Sequence, residues 1–478
     1  MNLSLLIIAP LVTAVAVLFC RGLSGIRWVS LAGVTVQLAL SLVLAVLYEK
    51  ERGAGESAHW LFQYWHAWFI PLNIAYHVGV DGLSVAMILL TAFVMLAAVL
   101  VSWRIDRMGK EFFFLLLVLS AGAYGFFISL DIFTLFFFLE ISVIPKFLLI
   151  GIWGSGRKEY SAMKLALMLM GGSALVLVGL LGIYTSGAYT FDLPALGGNL
   201  SLHAQRLFFP FLFVGFGIFT ALFPFHTWVP DGHSSAPTAG SMFLAGVSMK
   251  LGGYGCLRMA LLMPAVAREY SPYIIVLSVI AIVYGAFATM MQNDLKYINA
   301  YSSVSHCGFI LLGIGMLTET AVRGAVLQMI SHGLMTALFF ATIGMIYDRT
   351  HTRLVARLGG LLKVMPFIST VFVIAGLCSL GLPGLSGFVA EVTVFMGSWQ
   401  HPGQMYHLAT ILACASIVIT AVYILRATGA TVIGPVGDSQ YYSLKDATWT
   451  ERLAGILLVT GIIAIGVAPF WLNELIAK

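Results

Sequence analysis

Three ionisable residues lie inside apolar stretches long enough to cross a membrane: Glu140, Lys250 and Glu391. An ionisable side chain at the centre of a bilayer costs about 2.5–3.5 kcal/mol on insertion scales, so it normally marks an ion path or a buried ion pair. Two of the three follow a turn-rich run: residues 230–237 precede Lys250, and residues 381–387 precede Glu391. Buried charge beside interrupted helices is typical of proteins that translocate ions across membranes.

Each of these side chains has two readings that the sequence leaves open: a proton carrier or one half of a static ion pair. Phe136–Phe138 precede Glu140 and exclude water, which suits a carboxyl group that takes up and releases protons. Lys250 has no flanking loop into which its amine can reach. Glu391 lies shortly after the interruption, where water can approach it from one side of the membrane. We interpret all three as the residues that carry protons.

Four histidines within or beside the apolar stretches are secondary candidates: His226, His233, His306 and His332. A neutral imidazole can relay a proton at physiological pH, or it can simply hydrogen-bond a neighbouring helix. His306 and His332 are favoured because polar residues that can hold water precede them, namely Ser302, Ser303, Ser305, Gln328 and Ser331. Their spacing does not match a metal site.

Two further cations fall within the predicted spans. Lys146 is six residues after Glu140, which is about 240° of helical turn and roughly 9 Å along the axis. It therefore does not share a face with Glu140, and we expect it to face another helix or to reach towards the membrane surface. Arg258, near the outer end of its helix, is interpreted as an anchor.

Composition limits the class of protein. Of 478 residues, 60% are hydrophobic and 9% are charged, which a soluble protein of this size cannot bury. The chain is therefore a multi-pass membrane protein in contact with the lipid bilayer, and no basic run indicates a nucleic-acid partner. Its five cysteines are isolated and glycine-rich nucleotide motifs are absent, so we predict no cofactor-binding and no metal site in this chain.

Hydropathy predicts an all-α fold of about fourteen transmembrane helices, of which the seventh and twelfth are broken by Pro and Gly. The chain, 1–478, forms a single membrane domain in which two inverted five-helix repeats occupy approximately 112–263 and 273–428. The predicted spans are 3–20, 28–48, 83–103, 112–130, 132–152, 162–184, 207–226, 236–263, 273–291, 298–316, 321–347, 366–396, 406–428 and 453–473.

The distribution of basic residues predicts the orientation. Most of the 25 Lys and Arg residues fall in loops that are on the inside if the N-terminus is outside. The positive-inside rule therefore places both termini on the outer, periplasmic side of a bacterial inner membrane.

Four stretches together resemble one family. They are HVGVDGLS at 77–84, HTWVPDGHSSAPTAGS at 226–241, DLK at 294–296 with AYSSVSH at 300–306, and GLPG at 381–384 ahead of GFVAE at 387–391. Over nearly its whole length the chain resembles the NuoM-type antiporter-like membrane subunits of respiratory complex I, the NADH:quinone oxidoreductase, which are related to Mrp antiporters. The glutamate at 391, in the predicted twelfth span, resembles the NuoM type, since the related NuoL and NuoN types usually have lysine at this position.

The resemblance implies a proton-translocating, non-redox subunit of this enzyme. Glu140, Lys250 and Glu391 match the family's proton-translocating residues, and His306 and His332 match its polar axis. NuoL-type and NuoN-type subunits would be the neighbours, while FMN, iron–sulfur clusters and quinone would be held by partner subunits. The alternatives are a subunit of a Mrp-type sodium/proton antiporter or membrane-bound hydrogenase, and a non-pumping structural subunit of complex I.

One position departs from the family pattern. The family normally has a lysine seven residues before the His that opens the HxWxPD run, and that lysine is thought to pair with the glutamate of the fifth helix. Here the position is Phe219, so Glu140 lacks its expected partner. Our hypothesis is that Lys146 takes the place of the missing lysine.

Overall fold

The computed structural model describes residues 1–197 and 200–477, and it is mainly helical. Ten of the described helices are long and apolar enough to cross a membrane, which agrees with a multi-pass membrane protein. The α-helices are α1 (Leu5–Phe19), α2 (Leu23–Gly53), α3 (Gly82–Val101), α4 (Gly109–Ile128), α5 (Ile132–Ile141), α6 (Val143–Trp153), α7 (Lys158–Ile183), α8 (Leu193–Leu196), α9 (Leu202–Phe219), α10 (Trp228–Ser235), α11 (Thr238–Phe243), α12 (Met249–Leu262), α13 (Pro264–Met290), α14 (Leu295–Met316), α15 (Glu319–Thr350), α16 (Pro366–Ser379), α17 (Ser386–Trp399), α18 (Gln404–Val432), α19 (Trp449–Val467) and α20 (Phe470–Ala477).

The predicted count of fourteen exceeds these ten because several predicted spans are short, interrupted or polar. α1 has only 15 residues, and the predicted eighth and twelfth spans consist of shorter pieces. α14 has 22 residues but carries buried polar side chains, including Asn299 and His306, that lower its hydropathy. The count of fourteen and the inverted repeat stay predictions.

Both helices that were predicted to be broken leave the helical conformation. Between α9 and α10 the chain is non-helical from 220 to 227, and between α16 and α17 from 380 to 385. In the first interruption, Pro224 has no N–H with which to continue the hydrogen bonds of the helix. In the second interruption, Gly381 and Gly384 adopt positive φ angles of 75° and 91°. Such interruptions free backbone groups that only the protein interior or a water-lined cavity can satisfy within a membrane.

The predicted eighth span, 236–263, is also irregular, which the sequence did not indicate. It begins as α11, continues as one turn of π-helix over Leu244–Ser248, and resumes as α12. A π-turn holds one residue more than an α-turn and is frequent at functional sites. This π-turn immediately precedes Lys250.

A β-hairpin departs from the all-α prediction. Strands β1 (Leu61–Phe69) and β2 (Ile74–Val80) pair antiparallel. From its aromatic composition alone, this segment would be predicted to be a loop at the membrane interface. β2 is buried while most of β1 is exposed, and exposed aromatic side chains such as Trp65 and Trp68 suit a membrane–water interface. The hairpin leads directly into α3.

α15 forms the centre of the molecule. It has 32 residues, and the most apolar 18-residue window of this helix is completely buried. It packs against α3, α14, α16 and α17, and also against α11 and α19. At about 1.5 Å per residue, α15 is long enough to connect the two surfaces of a membrane.

A buried ion pair fastens the hairpin to the centre. Arg258, expected to be an anchor at the outer end, instead donates two hydrogen bonds of 2.6 Å to the carboxylate of Asp81, at the start of α3. Tyr254 and Ser84 also bind the guanidinium, and the Trp60 ring lies 4.6 Å from its central carbon. Burial alone would raise the pKa of the Asp81 carboxyl, but the Arg258 charge and the hydrogen bonds from Arg258 and Ser84 together lower that pKa.

We expect Arg258→Met to destabilise the protein by about 3–5 kcal/mol, because it leaves the buried Asp81 carboxylate without its cation. The measurement is the thermal stability of the detergent-solubilised protein. The control is Arg206→Met, since Arg206 pairs with Glu269 on the surface and exposed pairs contribute little. Equal stability of the two variants would contradict the role assigned to the buried pair.

Candidate functional site

Lys250 lies at the start of α12 and is completely buried. Its Nζ donates a hydrogen bond to the carbonyl of Ala245, inside the π-turn, and lies 2.6 Å from Nδ1 of His332 on α15. A buried ammonium needs hydrogen-bond acceptors because no bulk water reaches it. The π-turn and the histidine supply two.

The polar contacts continue from His332 to Glu391. The rings of His332 and His306 are 5.3 Å apart, and Nδ1 of His306 lies 3.6 Å from Oε1 of Glu391. Gln328 and Ser379 hold the second imidazole, at 3.2 Å from its Nδ1 and 3.0 Å from its Nε2. We call the side chains of Lys250, His332, His306 and Glu391 the central row. The structure thus brings together four of the residues selected from the sequence, contributed by four different helices.

Glu391 sits beside the interruption between α16 and α17. The residue is only 4% exposed. Among the described residues, His306 is the one ion-pair partner within 4.0 Å of its carboxylate. A Cβ placed on Gly381 would lie 2.5 Å from Oε2 of Glu391. The interruption is therefore packed directly against the carboxylate.

Glu140 and Lys146 occupy the two halves of one kinked span. α5 ends at Ile141 and α6 begins at Val143, so Ser142 forms the junction between them. Oε1 of Glu140 accepts a very short hydrogen bond from Ser173 on α7, whereas Lys146 is buried and donates to the Ser142 hydroxyl at 2.9 Å.

No ion pair within 4.0 Å joins Lys146 to Glu140 among the described residues, in line with the helical spacing. Lys146 instead points towards the position where the family lysine would be. Its Nζ lies 5.8 Å from the centre of the Phe219 ring, on α9. The two side chains are therefore neighbours in space although they are 73 positions apart in the chain.

The remaining two histidines lie outside the central row. His233 is completely buried, stacks on Phe340 with ring centres 5.5 Å apart, and has no hydrogen-bond partner at either ring nitrogen. His226 stacks on Phe223 and touches Tyr284, and its Nδ1 has no partner. Neither bonds directly to Lys250.

Several groups that hold these side chains escaped the sequence analysis. Ser173, Ser142, Ser379 and the Ala245 carbonyl each bind a candidate residue. A serine in an apolar helix usually bonds its own backbone, so its type carries no functional signal. Within 1–197 and 200–477 no group of three or more His, Cys, Asp or Glu is arranged to hold a metal ion.

This architecture and this buried row of titratable groups define a class of ion-translocating membrane subunits. Residues 129–420 match the family described as "NADH:quinone oxidoreductase/Mrp antiporter, TM", which is more than half of the chain. The chain belongs to this family. It is 36% identical to the NADH-quinone oxidoreductase subunit M of Rickettsia bellii over 409 residues, which cover 84% of this chain and 82% of that protein.

Solved structures share the fold. A chain of the respiratory complex I from Thermus thermophilus with bound NADH matches with a TM-score of 0.88 and 25% identity, over 99% of this chain and 98% of that chain. A chain of the Mrp complex from Dietzia sp. matches with a TM-score of 0.87 and 19% identity, over 99% and 95%. The backbone alone therefore does not separate the two kinds of complex.

We expect Gly381→Ala to alter the reactivity of Glu391 with dicyclohexylcarbodiimide, a hydrophobic reagent that modifies protonated carboxyl groups. The added methyl group would meet the Glu391 carboxylate and displace it. Gly384→Ala is the matched control, since it also has a positive φ but nothing within 4 Å of an added Cβ. Labelling of Glu391, followed by mass spectrometry, should change several-fold in the first variant only; the same change in both would implicate backbone strain instead.

Proposed function

We propose that this chain is a proton-translocating membrane subunit of an NADH:quinone oxidoreductase, which couples quinone reduction elsewhere in the complex to proton pumping. The central row in a chain of this family is the observation that carries the proposal. The chain is a non-redox subunit, and Glu140, Lys250 and Glu391 are its principal proton carriers. FMN, iron–sulfur clusters and quinone belong to partner subunits.

The central row supports proton transfer in a defined order. The Lys250 ammonium can pass a proton to Nδ1 of His332, because these atoms are already at hydrogen-bond distance. His332 then releases a proton from Nε2, which has no partner in the described structure, and His306 passes it to Glu391. Each transfer moves one positive charge away from Lys250, which leaves Lys250 ready to bind another proton.

The two interruptions give the row its access to the membrane surfaces. Glu391 lies beside 380–385, where the chain is non-helical, and this suits release of the proton to one side. The topology that fits this assignment has fourteen spans with both termini outside, and inverted halves at 112–263 and 273–428. NuoL-type and NuoN-type subunits flank the chain in a bacterial inner membrane.

Glu140 and Lys146 couple to the row through charge rather than contact. Lys146 is buried beside Phe219, in the position from which the family lysine would act on Glu140. Two charges a few ångströms beyond contact still interact strongly where the dielectric constant is low. We assign Lys146 the role of this missing lysine and Ser173 that of the group that orients Glu140.

The second candidate is a subunit of a Mrp-type sodium/proton antiporter or a membrane-bound hydrogenase. The description of the family that residues 129–420 match includes Mrp antiporters, which supports this candidate, and the same central row would then carry protons against another ion. The absence of lysine at 219 favours a third candidate, a non-pumping structural subunit of complex I.

We expect Lys250→Met to lower the number of protons pumped per NADH oxidised in native membrane vesicles. The thioether has a similar length but cannot bind a proton, so the row loses its first carrier. Quenching of a pH-sensitive dye and absorbance of NADH give the two rates. The control is Lys363→Met, which changes an exposed lysine. An unchanged ratio for Lys250→Met would refute proton pumping through this subunit.

We expect Lys146→Met to abolish the contribution of this subunit to pumping, and Phe219→Lys/Lys146→Met to restore it, because the second variant puts the charge back at the family position. The same pumped-proton ratio measures both. The control is Phe219→Leu, which keeps that position apolar. Normal pumping by Lys146→Met would show that Lys146 does not replace the missing lysine.

A further inference from the structure

An apolar crevice opens between α2 and α19. Its volume is about 300 Å³, and side chains of α2, α3, α15, α19 and α20 line it. Leu42 and Val46 of α2 lie at its mouth and are 45% and 68% exposed, whereas Ile330 and Leu334 of α15 form its floor and are only 4% exposed each. The crevice therefore runs from the outside of the bundle to the buried central helix.

Small residues keep the crevice open. Gly461 and Ala464 of α19 and Ala86 of α3 are among the residues that line it. A Cβ added to Gly461 would lie 3.2 Å from Cδ1 of Leu334, so a larger side chain at 461 would narrow the space in front of α15. Glycine in the interior of a helix is less stable than alanine, so the residue that leaves this space open also weakens α19.

The walls of the crevice select an apolar occupant. Apart from Thr460 and the indole N–H of Trp471, the side chains that line it are hydrocarbon. A cavity of this kind stays free of water and takes up apolar molecules. A helix of a neighbouring subunit, which is about 10–12 Å wide, is too thick to reach the floor of a crevice of this volume. A lipid acyl chain can reach it, because the chain is a single file of methylene groups.

Towards the C-terminal end of α2 the crevice continues into a groove with charged walls. The groove shares Val46, Leu89 and Trp471 with the crevice, and Glu49 of α2 and Glu474 of α20 also line it. Among the described residues, the two charged ones that line these spaces are both acidic. Tryptophan is enriched at the level of the lipid headgroups, so both carboxylates are placed to meet a headgroup. They attract a positively charged group and repel an anionic one.

The two ends of the crevice relate the headgroup level to the central row. Glu49 is seven residues after Leu42, so about 10 Å of α2 leads from the carboxylates to the mouth of the crevice. At the floor, Ile330 and Leu334 lie two residues before and two residues after His332. A chain seated in the crevice therefore supports α15 at the level where the central row crosses it.

We propose that this crevice binds one acyl chain of a membrane lipid whose headgroup carries an ammonium, as in phosphatidylethanolamine, and that Glu49 and Glu474 bind the ammonium. The chain supplies the apolar contacts that the small residues leave unmade, and the carboxylates select this headgroup over anionic phosphatidylglycerol. The inference requires only that the chain spans a membrane, so it stands or falls independently of the proposed proton pumping.

The test uses the intact complex that contains this chain, reconstituted in nanodiscs with photoactivatable lipids. Two lipids carry the same diazirine near the end of one acyl chain and differ only in headgroup, which is phosphatidylethanolamine or phosphatidylglycerol. After illumination, mass spectrometry identifies the labelled peptides. We expect phosphatidylethanolamine to label the α15 segment around Ile330 and Leu334 several-fold more than phosphatidylglycerol does. The two lipids should label the exposed face of α18 around Val418 equally, which is the internal control.

Two variants test the crevice and the headgroup separately. Ala464→Phe fills the crevice and should lower labelling of α15 by phosphatidylethanolamine several-fold. Ala415→Phe, on the exposed face of α18 and away from the described cavities, should leave that labelling unchanged. Glu49→Gln/Glu474→Gln should remove the preference between the two lipids. Glu319→Gln, at an exposed carboxylate that pairs with Arg323, should keep the preference.

Three outcomes would overturn the inference. The first is that neither lipid labels α15, which would mean that the crevice is closed or covered by a neighbouring subunit. The second is that both lipids label α15 equally in the unaltered protein. The third is that α15 of Ala464→Phe is labelled as strongly as that of the unaltered protein. Equal labelling of α18 in all variants reports an intact fold.

Discussion

The structure depends on accommodating a lysine ammonium at the middle of a membrane domain. Lys250 is beyond the reach of bulk water, so its charge has to be met by groups of the protein. The Ala245 carbonyl is free to accept because a π-turn replaces the ordinary ladder, and His332 comes from the buried central helix, α15. The irregular span, the central position of α15 and the neighbouring interruption all follow from that requirement.

In the central row, Lys250 and Glu391 are kept apart, so that no strong ion pair between them holds the proton in one place. Lys250 meets the imidazole of His332 rather than a carboxylate, and Glu391 meets the imidazole of His306 at 3.6 Å. A direct lysine–glutamate contact in such surroundings would be difficult to open. By contrast, Arg258 and Asp81 form a bidentate pair at 2.6 Å, which is suited to holding α12 and α3 in place. The chain therefore uses buried charge in two ways: to carry protons along the central row, and to hold helices together through the Arg258–Asp81 pair.

Much of this was readable from the sequence, for physical reasons that differ between residues. Glu140, Lys250 and Glu391 stand out because charge is rare in apolar runs, and the interruptions at 220–227 and 380–385 follow from Pro and Gly. The hairpin was not predicted, since aromatic residues serve an interfacial loop equally well. The π-turn and the Ser173 hydrogen bond depend on which helices meet, and the Arg258 pair joins positions 177 residues apart.

The π-turn over Leu244–Ser248 has a consequence for comparing this chain with its relatives. One extra residue in a helical turn rotates everything that follows by about 100° relative to what precedes it. A homologue that lacked the extra residue of the π-turn would present a different face of α12 to α15. Its lysine would then point away from the histidine, even though the flanking sequences aligned. Gaps within Leu244–Ser248 therefore carry more information about ion transport than substitutions there, and an alignment that forbids gaps inside helices would conceal them.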